Sequence, residues 1–406
     1  MGKKLGLVAA VVALFAVIGG ITYFAVTRMR RQETTGLASV PRDVLGVVSI
    51  NVDRIRNFPP AQRLRQLAMS QPDVVRDWAP FVATCGFDPM DRLDTLTFAW
   101  DRTAFTEHSP VPGLSVVALG RVNTVEVMRC LAAAARVGRG TPSSVVPLAP
   151  INGHPVLTFV SSGGSMSAND PRLAIVSNGI VLGTAASVPR TVNVVDHREP
   201  GADRNDQLRG ALGALNGELY MYGVLDVPAL LQSLPPEALN AVQTLNVPGF
   251  SSAVTQLLTI QSSGLGLMRQ GDGLRAAAVI TYRTPAEATN AAAVAQQALG
   301  LVRLGMMSEV MREEQRYMRR VTEAQPLDPT LVMQVAPVQQ LFTLVNSLPE
   351  RVRVRADGST VHVELDVSGA EVTVIEAGSR ALAATETSMD RVRSLQYGAP
   401  SPAPTF

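Results

Sequence analysis

The sequence predicts an α+β protein in which an N-terminal transmembrane helix precedes two similar domains with mainly antiparallel sheets. Three observations lead to this fold class. The first is an uncharged run of 22 residues from Leu5 to Val26. The second is the alternation of short β-branched runs with helical patterns, and the third is an order of elements that repeats once along the chain.

The run from Leu5 to Val26 is long enough to cross a bilayer as a helix. At about 1.5 Å per residue it spans roughly 33 Å, against a hydrocarbon core of about 30 Å. A cleavable signal peptide usually has a shorter apolar core of about 7–15 residues, and Arg28, Arg30 and Arg31 follow the run at once. We therefore expect residues 1–31 to form an uncleaved anchor with basic flanks, and removal by a secretory peptidase is the alternative.

Two cysteines orient this anchor, because basic residues on both of its flanks leave the positive-inside rule undecided. Cys85 and Cys130 belong to no CxxC pair and no zinc pattern. An even pair in an anchored chain predicts one disulfide, and disulfides persist in oxidising compartments. We therefore expect a body outside the cytoplasm. The alternative is that the two cysteines are buried free thiols and that the protein is a tethered scaffold facing the cytoplasm.

The overall composition argues against a nucleic-acid binder. The net charge is only +2 over 406 residues, and aromatic residues make up 5% of the chain. A nucleic-acid-binding surface needs a basic patch, with aromatic side chains where bases stack. The length after the anchor is enough for two domains of ordinary size.

Shifts in composition along the chain predict the domain boundaries. We expect a polar linker, a first domain, a polar irregular linker, a second domain and a disordered Pro-rich tail, at residues 32–40, 41–190, 191–208, 209–396 and 397–406 respectively. Each domain has the order β-α-β-β-α followed by a hairpin. The strand that begins the first domain, near Leu45–Val52, corresponds to the one at Gly217–Asp226.

A long helix near residues 285–323 distinguishes the second domain from the first. Its predicted apolar stripe comprises Leu299, Val302, Met306, Val310, Tyr317 and Val321. The charged last third of this helix, from Glu309 to Arg320, suggests that it projects from the body. We expect this helix to be the surface that binds a protein partner.

Asn-Gly and Asp-Gly pairs predict two-residue hairpin turns at Asn152-Gly153, Asn178-Gly179 and Asp357-Gly358. With Asn178-Gly179 as the turn, Ile175 faces Leu182 and both faces of the hairpin are apolar. One of these faces then lines a cavity for a lipid or another apolar ligand, or both belong to a buried core.

The sequence contains no recognisable catalytic motif. The four histidines form no HExxH motif. Asp88, Asp91 and Asp94 recur at every third residue, a pattern that fits a bound cation or, more simply, a helix cap and surface carboxylates. We predict no cofactor, no metal and no catalytic residue.

The segment Cys85-Gly-Phe-Asp-Pro-Met-Asp-Arg-Leu-Asp94, followed by a strand pair and the helix that contains Cys130, resembles a motif of uncharacterised bacterial envelope proteins. Those proteins are single-pass or secreted, with duplicated α+β domains. The resemblance covers residues 40–190 and implies a location and a fold but no reaction.

Together these observations predict a non-enzymatic protein of the bacterial inner membrane, with a single span and its body in the periplasm. Its binding partner would be an envelope protein or an apolar ligand such as a lipid. An enzyme of unknown class, whose site is assembled only by folding, is the alternative.

Overall fold

The computed structural model describes residues 35–69, 78–79, 82–83, 85–102, 113–121, 124–128, 130, 143–161, 170–234, 258–326 and 328–397. The predicted anchor from Leu5 to Val26 and residues 398–406 of the predicted tail lie outside these ranges. Of the helices within them, none is both long and apolar enough to cross a bilayer.

Within the described residues, twelve strands form one sheet, and the α+β class with antiparallel pairing is confirmed. The strands are β1 Gly46–Asn51, β2 Leu93–Trp100, β3 Leu114–Gly120, β4 Ser143–Ile151, β5 His154–Ser161, β6 Arg172–Val176, β7 Gly179–Gly183, β8 Leu219–Asp226, β9 Ile260–Gln270, β10 Gly273–Tyr282, β11 Arg353–Asp357 and β12 Thr360–Val367. Their order across the sheet is β11-β12-β10-β9-β8-β1-β2-β3-β7-β6-β5-β4. The ladders from β9 through β8 and β1 to β4 are antiparallel.

The helices connect these strands. They are α1 Thr35–Ala38, α2 Val52–Arg56, α3 Pro59–Met69, α4 Pro89–Arg92, α5 Ser187–Val195, α6 Asp206–Leu215, α7 Val227–Ser233, α8 Pro285–Ala324, α9 Val332–Arg351 and α10 Gly369–Tyr397. The long helix α8 ends one residue beyond its predicted end. Helices α8 and α10 begin with reciprocal side-chain caps, formed by Thr284 with Glu287 and by Ser368 with Glu371.

The central strand β1 is buried on both faces, which is why its residues form a nearly continuous apolar run. On one face Val47 packs in a core that contains Leu37 and Tyr222. On the other face Val48 and Ile50 pack with Met221.

Part of the predicted linker at residues 32–40 belongs to the core, which corrects its description as a polar connection. Thr35–Ala38 form α1, and Leu37 is fully buried. Helix α1 approaches the sheet so closely that a Cβ atom on Gly36 would lie 2.0 Å from Oγ of Ser49. Only glycine allows this contact.

The predicted linker at residues 191–208 also contains regular structure. It includes the end of α5, a 3₁₀ turn at Ala202–Arg204 and the start of α6. Val192 and Ala202 are fully buried in the core despite the polar residues around them. Composition alone suggested a loop here because the exposed sides of these short elements carry most of the polar residues.

The turn at Asn152-Gly153 is correct, and both residues have positive φ. In the other two hairpins the prediction was wrong, because the strand pairing is shifted by two residues from the predicted register. Ile175 pairs with Ile180, and Leu182 pairs with Leu173, because the turn is Ser177-Asn178. The C-terminal turn is likewise Gly358-Ser359.

The chain divides into two compact units. The first contains the described residues of Met1–Arg269, Arg275–Val294 and Val354–Glu364. The second contains those of Gln270–Leu274, Ala295–Arg353 and Leu365–Phe406. The second unit is mainly helical, and its core includes Tyr317, Val321 and Val338. The Tyr317 hydroxyl lies 3.2 Å from Oγ1 of Thr385 on α10.

Candidate functional site

The disulfide prediction is confirmed, because Cys85 and Cys130 are bonded to each other with their Cα atoms 4.4 Å apart. The bond joins the segment before α4 to the helical segment after β3. Cys85 is fully buried.

The three aspartates at every third residue have arginine partners. Arg65 binds Asp88 at 2.5 Å and Asp91 at 2.8 Å. Asp88 also accepts a hydrogen bond from the backbone N–H of Met90, which is the predicted cap. Asp94 lies 3.8 Å from Arg121. In the part of the chain that the structure describes, no group of three His, Cys, Asp or Glu side chains could hold a metal ion.

The described histidines lie on separate elements. His154 is on β5, His197 follows α5, and His362 is on β12, whereas His108 lies outside the described residues. Burial lowers the pKa of His362, and the nearby Arg355 acts in the same direction.

His154 belongs to a polar network that ties the β4–β5 turn to the end of α5. Its Nε2 lies 2.9 Å from Oδ1 of Asp196, and Asn152 donates hydrogen bonds to Asp196 and Asn193 at 2.9 Å. Burial by itself would raise the pKa of Asp196, but the hydrogen bonds from His154 and Asn152 outweigh it, so this pKa is lowered. The network has a structural role because its polar side chains form their hydrogen bonds with one another.

A polar cleft of about 400 Å³ lies where β1 begins and β8 ends. Arg190 on α5 binds Asp43 there at 2.5 Å, and this hydrogen bond raises the pKa of Arg190. Asn205 donates hydrogen bonds to the Arg42 carbonyl and to Asp226 at 3.3 Å. Most of the polar wall is therefore engaged in holding the surrounding loops together.

The predicted apolar ligand face, at Ile175 and Leu182, lies inside a core cluster. Ile175 is only 2% exposed and packs with Val127, Leu157 and Leu173, while Leu182 is partly buried against the same cluster. This face presents little surface to a ligand.

The exposed apolar surface of α8 is different. Four large apolar side chains on this helix remain between 36% and 67% exposed: Leu301, Leu304, Met307 and Met311. We call these four residues the α8 stripe. Their spacing of three, three and four residues places them along one side of the helix over roughly 15 Å.

The α8 stripe lies away from the stripe that the sequence predicted. In that predicted stripe, Tyr317 and Val321 are buried and the other four residues are partly buried. Apolar residues thus occupy two sides of one helix. The predicted stripe did not include the second set, although its residues also recur at spacings of three and four from Leu301.

Arginines near the α8 stripe are neutralised by glutamates. Arg303 binds Glu350 on α9, and Arg312 binds Glu309 at 2.7 Å. Farther along the helix, Arg316 binds Glu313. The stripe is therefore an apolar surface with a nearly neutral border.

No protein-family model matches the sequence, and no curated protein matches it either. Solved structures of TP0453 are weakly similar in structure to this chain, with low TM-scores. Its crystal form III is 7% identical with a TM-score of 0.38, and the alignment covers 84% of this chain and 98% of that chain. Crystal form I is 10% identical with a TM-score of 0.34, over 84% and 96% of the two chains. Similarity at this level gives no information about function.

Proposed function

We propose that this chain is a non-enzymatic, membrane-tethered protein of the bacterial cell envelope that binds a partner protein through the α8 stripe. The observation that carries the proposal is the exposure of Leu301, Leu304, Met307 and Met311 along one side of a single helix. Scattered exposed apolar residues are ordinary, whereas a contiguous set at helical spacing is typical of a binding surface.

The neutral border of the stripe favours a protein helix over a membrane surface. Amphipathic helices that lie on anionic membranes carry uncompensated Lys and Arg beside their apolar face. Here Arg303 and Arg312 are already paired with glutamates. We therefore infer that the partner is an amphipathic helix with little net charge, which inserts apolar side chains between the leucines and methionines.

The location outside the cytoplasm is supported by the disulfide. A bond between Cys85 and Cys130 would not persist in a reducing cytoplasm. The uncharged run from Leu5 to Val26 is the proposed tether to the inner membrane.

Site-specific photo-crosslinking in intact cells tests the proposed function. A photoreactive amino acid replaces Leu304 in the full chain, and in a matched control it replaces Glu309, which is exposed on the same helix outside the stripe. We expect one adduct of defined mass from position 304 and none from position 309. The cross-linked partner peptide should carry apolar residues at helical spacing and little net charge.

Polar substitutions on either side of the probe provide the second control. Leu301→Gln combined with Met311→Gln should abolish the adduct while leaving the circular dichroism spectrum unchanged. An adduct with twice the mass of the chain would show that the stripe binds a second copy of this chain instead of a different protein. Adducts with lipid alone, or equal labelling from both positions, would contradict the proposal.

We also infer that the two halves of the sheet arose by duplication. The strands of the first half follow the order β1-β2-β3-β7-β6, and those of the second follow β8-β9-β10-β12-β11. These orders are equivalent, with the β4–β5 hairpin as an addition to the first half. The element order predicted from the sequence supports the same relationship.

The ladder between β1 and β8 supports a local two-fold relationship. Asn51 and Asp226 each end a strand and cap the next helix, by accepting a hydrogen bond from a backbone N–H three residues later. If these two residues are equivalent, Val48 is equivalent to Gly223, and these two are paired in the ladder. A residue that pairs with its own equivalent is expected where a two-fold axis crosses antiparallel strands.

A further inference from the structure

Two of the four residues in the α8 stripe are methionines. Met307 is 36% exposed and Met311 is 50% exposed. Other methionines of the same chain are enclosed in cores, such as Met268 in the sheet and Met389 in the second unit. An oxidant can reach a thioether only on an exposed side chain, and the proposed binding surface contains two methionines with exposed side chains.

We propose that Met307 and Met311 are sites of reversible oxidation, and that their sulfoxides prevent the α8 stripe from binding its partner. This inference rests on the proposed function and adds regulation to the same surface. The disulfide between Cys85 and Cys130 points to an oxidising compartment, in which such a modification is relevant.

The reaction is a two-electron oxygen transfer from a hydroperoxide. A lone pair of the methionine sulfur attacks the terminal peroxide oxygen, a sulfur–oxygen bond forms and the oxygen–oxygen bond breaks. The proton of the attacked oxygen moves to the departing oxygen, so hydrogen peroxide leaves as water and an alkyl hydroperoxide leaves as an alcohol. The sulfur is oxidised by two electrons, the peroxide is reduced by two, and the protein supplies no proton.

The product no longer fits an apolar contact. A sulfoxide is polar and chiral, whereas the thioether is flexible and apolar. Burial of a polar group without a hydrogen bond is unfavourable, so each sulfoxide is expected to weaken the docked helix by about tenfold or more. Methionine sulfoxide reductases restore the thioether, with one class of enzyme for each epimer, which makes the switch reversible.

One exposed methionine outside the α8 stripe provides an internal control. Met333 on α9 is also exposed, at 69%, but it lies outside the α8 stripe. It therefore serves as an internal control, because its oxidation should not affect binding.

The first measurement is the oxidation rate of each methionine in the full chain. The protein is treated with hydrogen peroxide, and peptide mass spectrometry follows each sulfoxide over time. Met307 and Met311 are expected to react about ten times faster than Met268. Equal rates at the exposed and buried methionines would overturn the proposal.

The second measurement repeats the cross-linking from position 304 after peroxide treatment. We expect the adduct to disappear from the parent chain and to persist in a chain that carries Met307→Leu and Met311→Leu, because leucine is apolar, of similar volume and cannot be oxidised. Met333→Leu should respond to peroxide as the parent does.

The possible outcomes separate this inference from the proposed function. An adduct that persists in the parent chain, although both stripe methionines are oxidised, would refute the switch and leave the binding surface intact. Absence of the adduct before any oxidation would refute the proposed function itself, and with it the switch, whatever the oxidation rates.

Discussion

The hydroxyl oxygen of Tyr222 accepts a hydrogen bond from the backbone N–H of Leu37 at 3.1 Å. Tyr222 lies at the centre of the sheet on β8, and both residues are fully buried. This bond connects α1, the first described element, to the middle of the fold. The first described helix is thus held to the core of the sheet.

Tyr222→Phe should lower the free energy of unfolding by about 1–3 kcal/mol, because the buried N–H of Leu37 loses its acceptor. Tyr220→Phe is the matched control. Tyr220 is also buried on β8, and its ring contacts Phe58 at a centroid distance of 5.0 Å, which phenylalanine preserves. Urea denaturation compares the two variants, and equal losses would contradict the assigned role of the bond.

Gly36→Ala should destabilise the fold strongly, by more than about 2 kcal/mol, because the new methyl group would overlap Ser49. Gly210→Ala on α6 is expected to stabilise the protein by about 0.5–1 kcal/mol, since a Cβ there meets nothing and alanine favours a helix. Thermal unfolding distinguishes the two. A neutral Gly36→Ala variant would show that α1 does not pack as described.

The two sides of α8 should respond differently to mutation. Val321→Ala removes buried methyl groups from the core of the second unit and should cost about 2 kcal/mol. Leu304→Gln, in the α8 stripe, should change the free energy of unfolding by no more than about 0.5 kcal/mol. A large loss from Leu304→Gln would mean that the stripe is buried in the isolated protein.

Glu371 should contribute stability that depends on pH. A hydrogen bond from Arg351 is the main cause that lowers its pKa to about 2, and Ser368 adds to this effect. Because the pKa is lower in the folded state, the contribution is fully present above the usual value near 4.5 and is lost as the pH falls through about 2.

Denaturation between pH 5 and pH 2 measures this contribution. Relative to the parent, Glu371→Gln should be less stable at pH 5, and the difference should diminish as the pH falls. Glu386→Gln, which alters an exposed residue of the same helix, is the control. A constant difference between the parent and Glu371→Gln at every pH would exclude the carboxylate as its source.

Removal of the disulfide should cost about 4 kcal/mol in the chain-entropy model, since it closes a span of 45 residues. Cys85→Ser with Cys130→Ser is the test variant. In intact cells the parent thiols should resist alkylation until a reductant is added. Thiols that are alkylated without reductant would contradict export of the body.

Several features were predictable from sequence because local signals specify them. The extent of α8 was predicted from a long helical pattern that begins at Pro285, and the turn at Asn152-Gly153 follows from two residues that tolerate positive φ. The disulfide followed from the presence of only two cysteines in the sequence.

The register of the β6–β7 hairpin shows why such signals sometimes fail. Gly179 was interpreted as a turn residue, but it belongs to β7. A Cβ atom there would lie 2.1 Å from the carbonyl oxygen of Ala118 on β3. Glycine is therefore required by a neighbouring strand that is distant in sequence, and the turn moves to Ser177-Asn178.

The sequence by itself determined the class of the fold, the disulfide pair and the extent of the longest helix, because these depend on composition and local periodicity. Tertiary structure alone decided that β1 and β8 join the two halves into one sheet and that α8 keeps Leu304 and Met311 exposed. The physical reason is that strand pairing and burial depend on neighbours far along the chain. A helical repeat shows that a stripe is apolar but does not specify whether another part of the protein covers it.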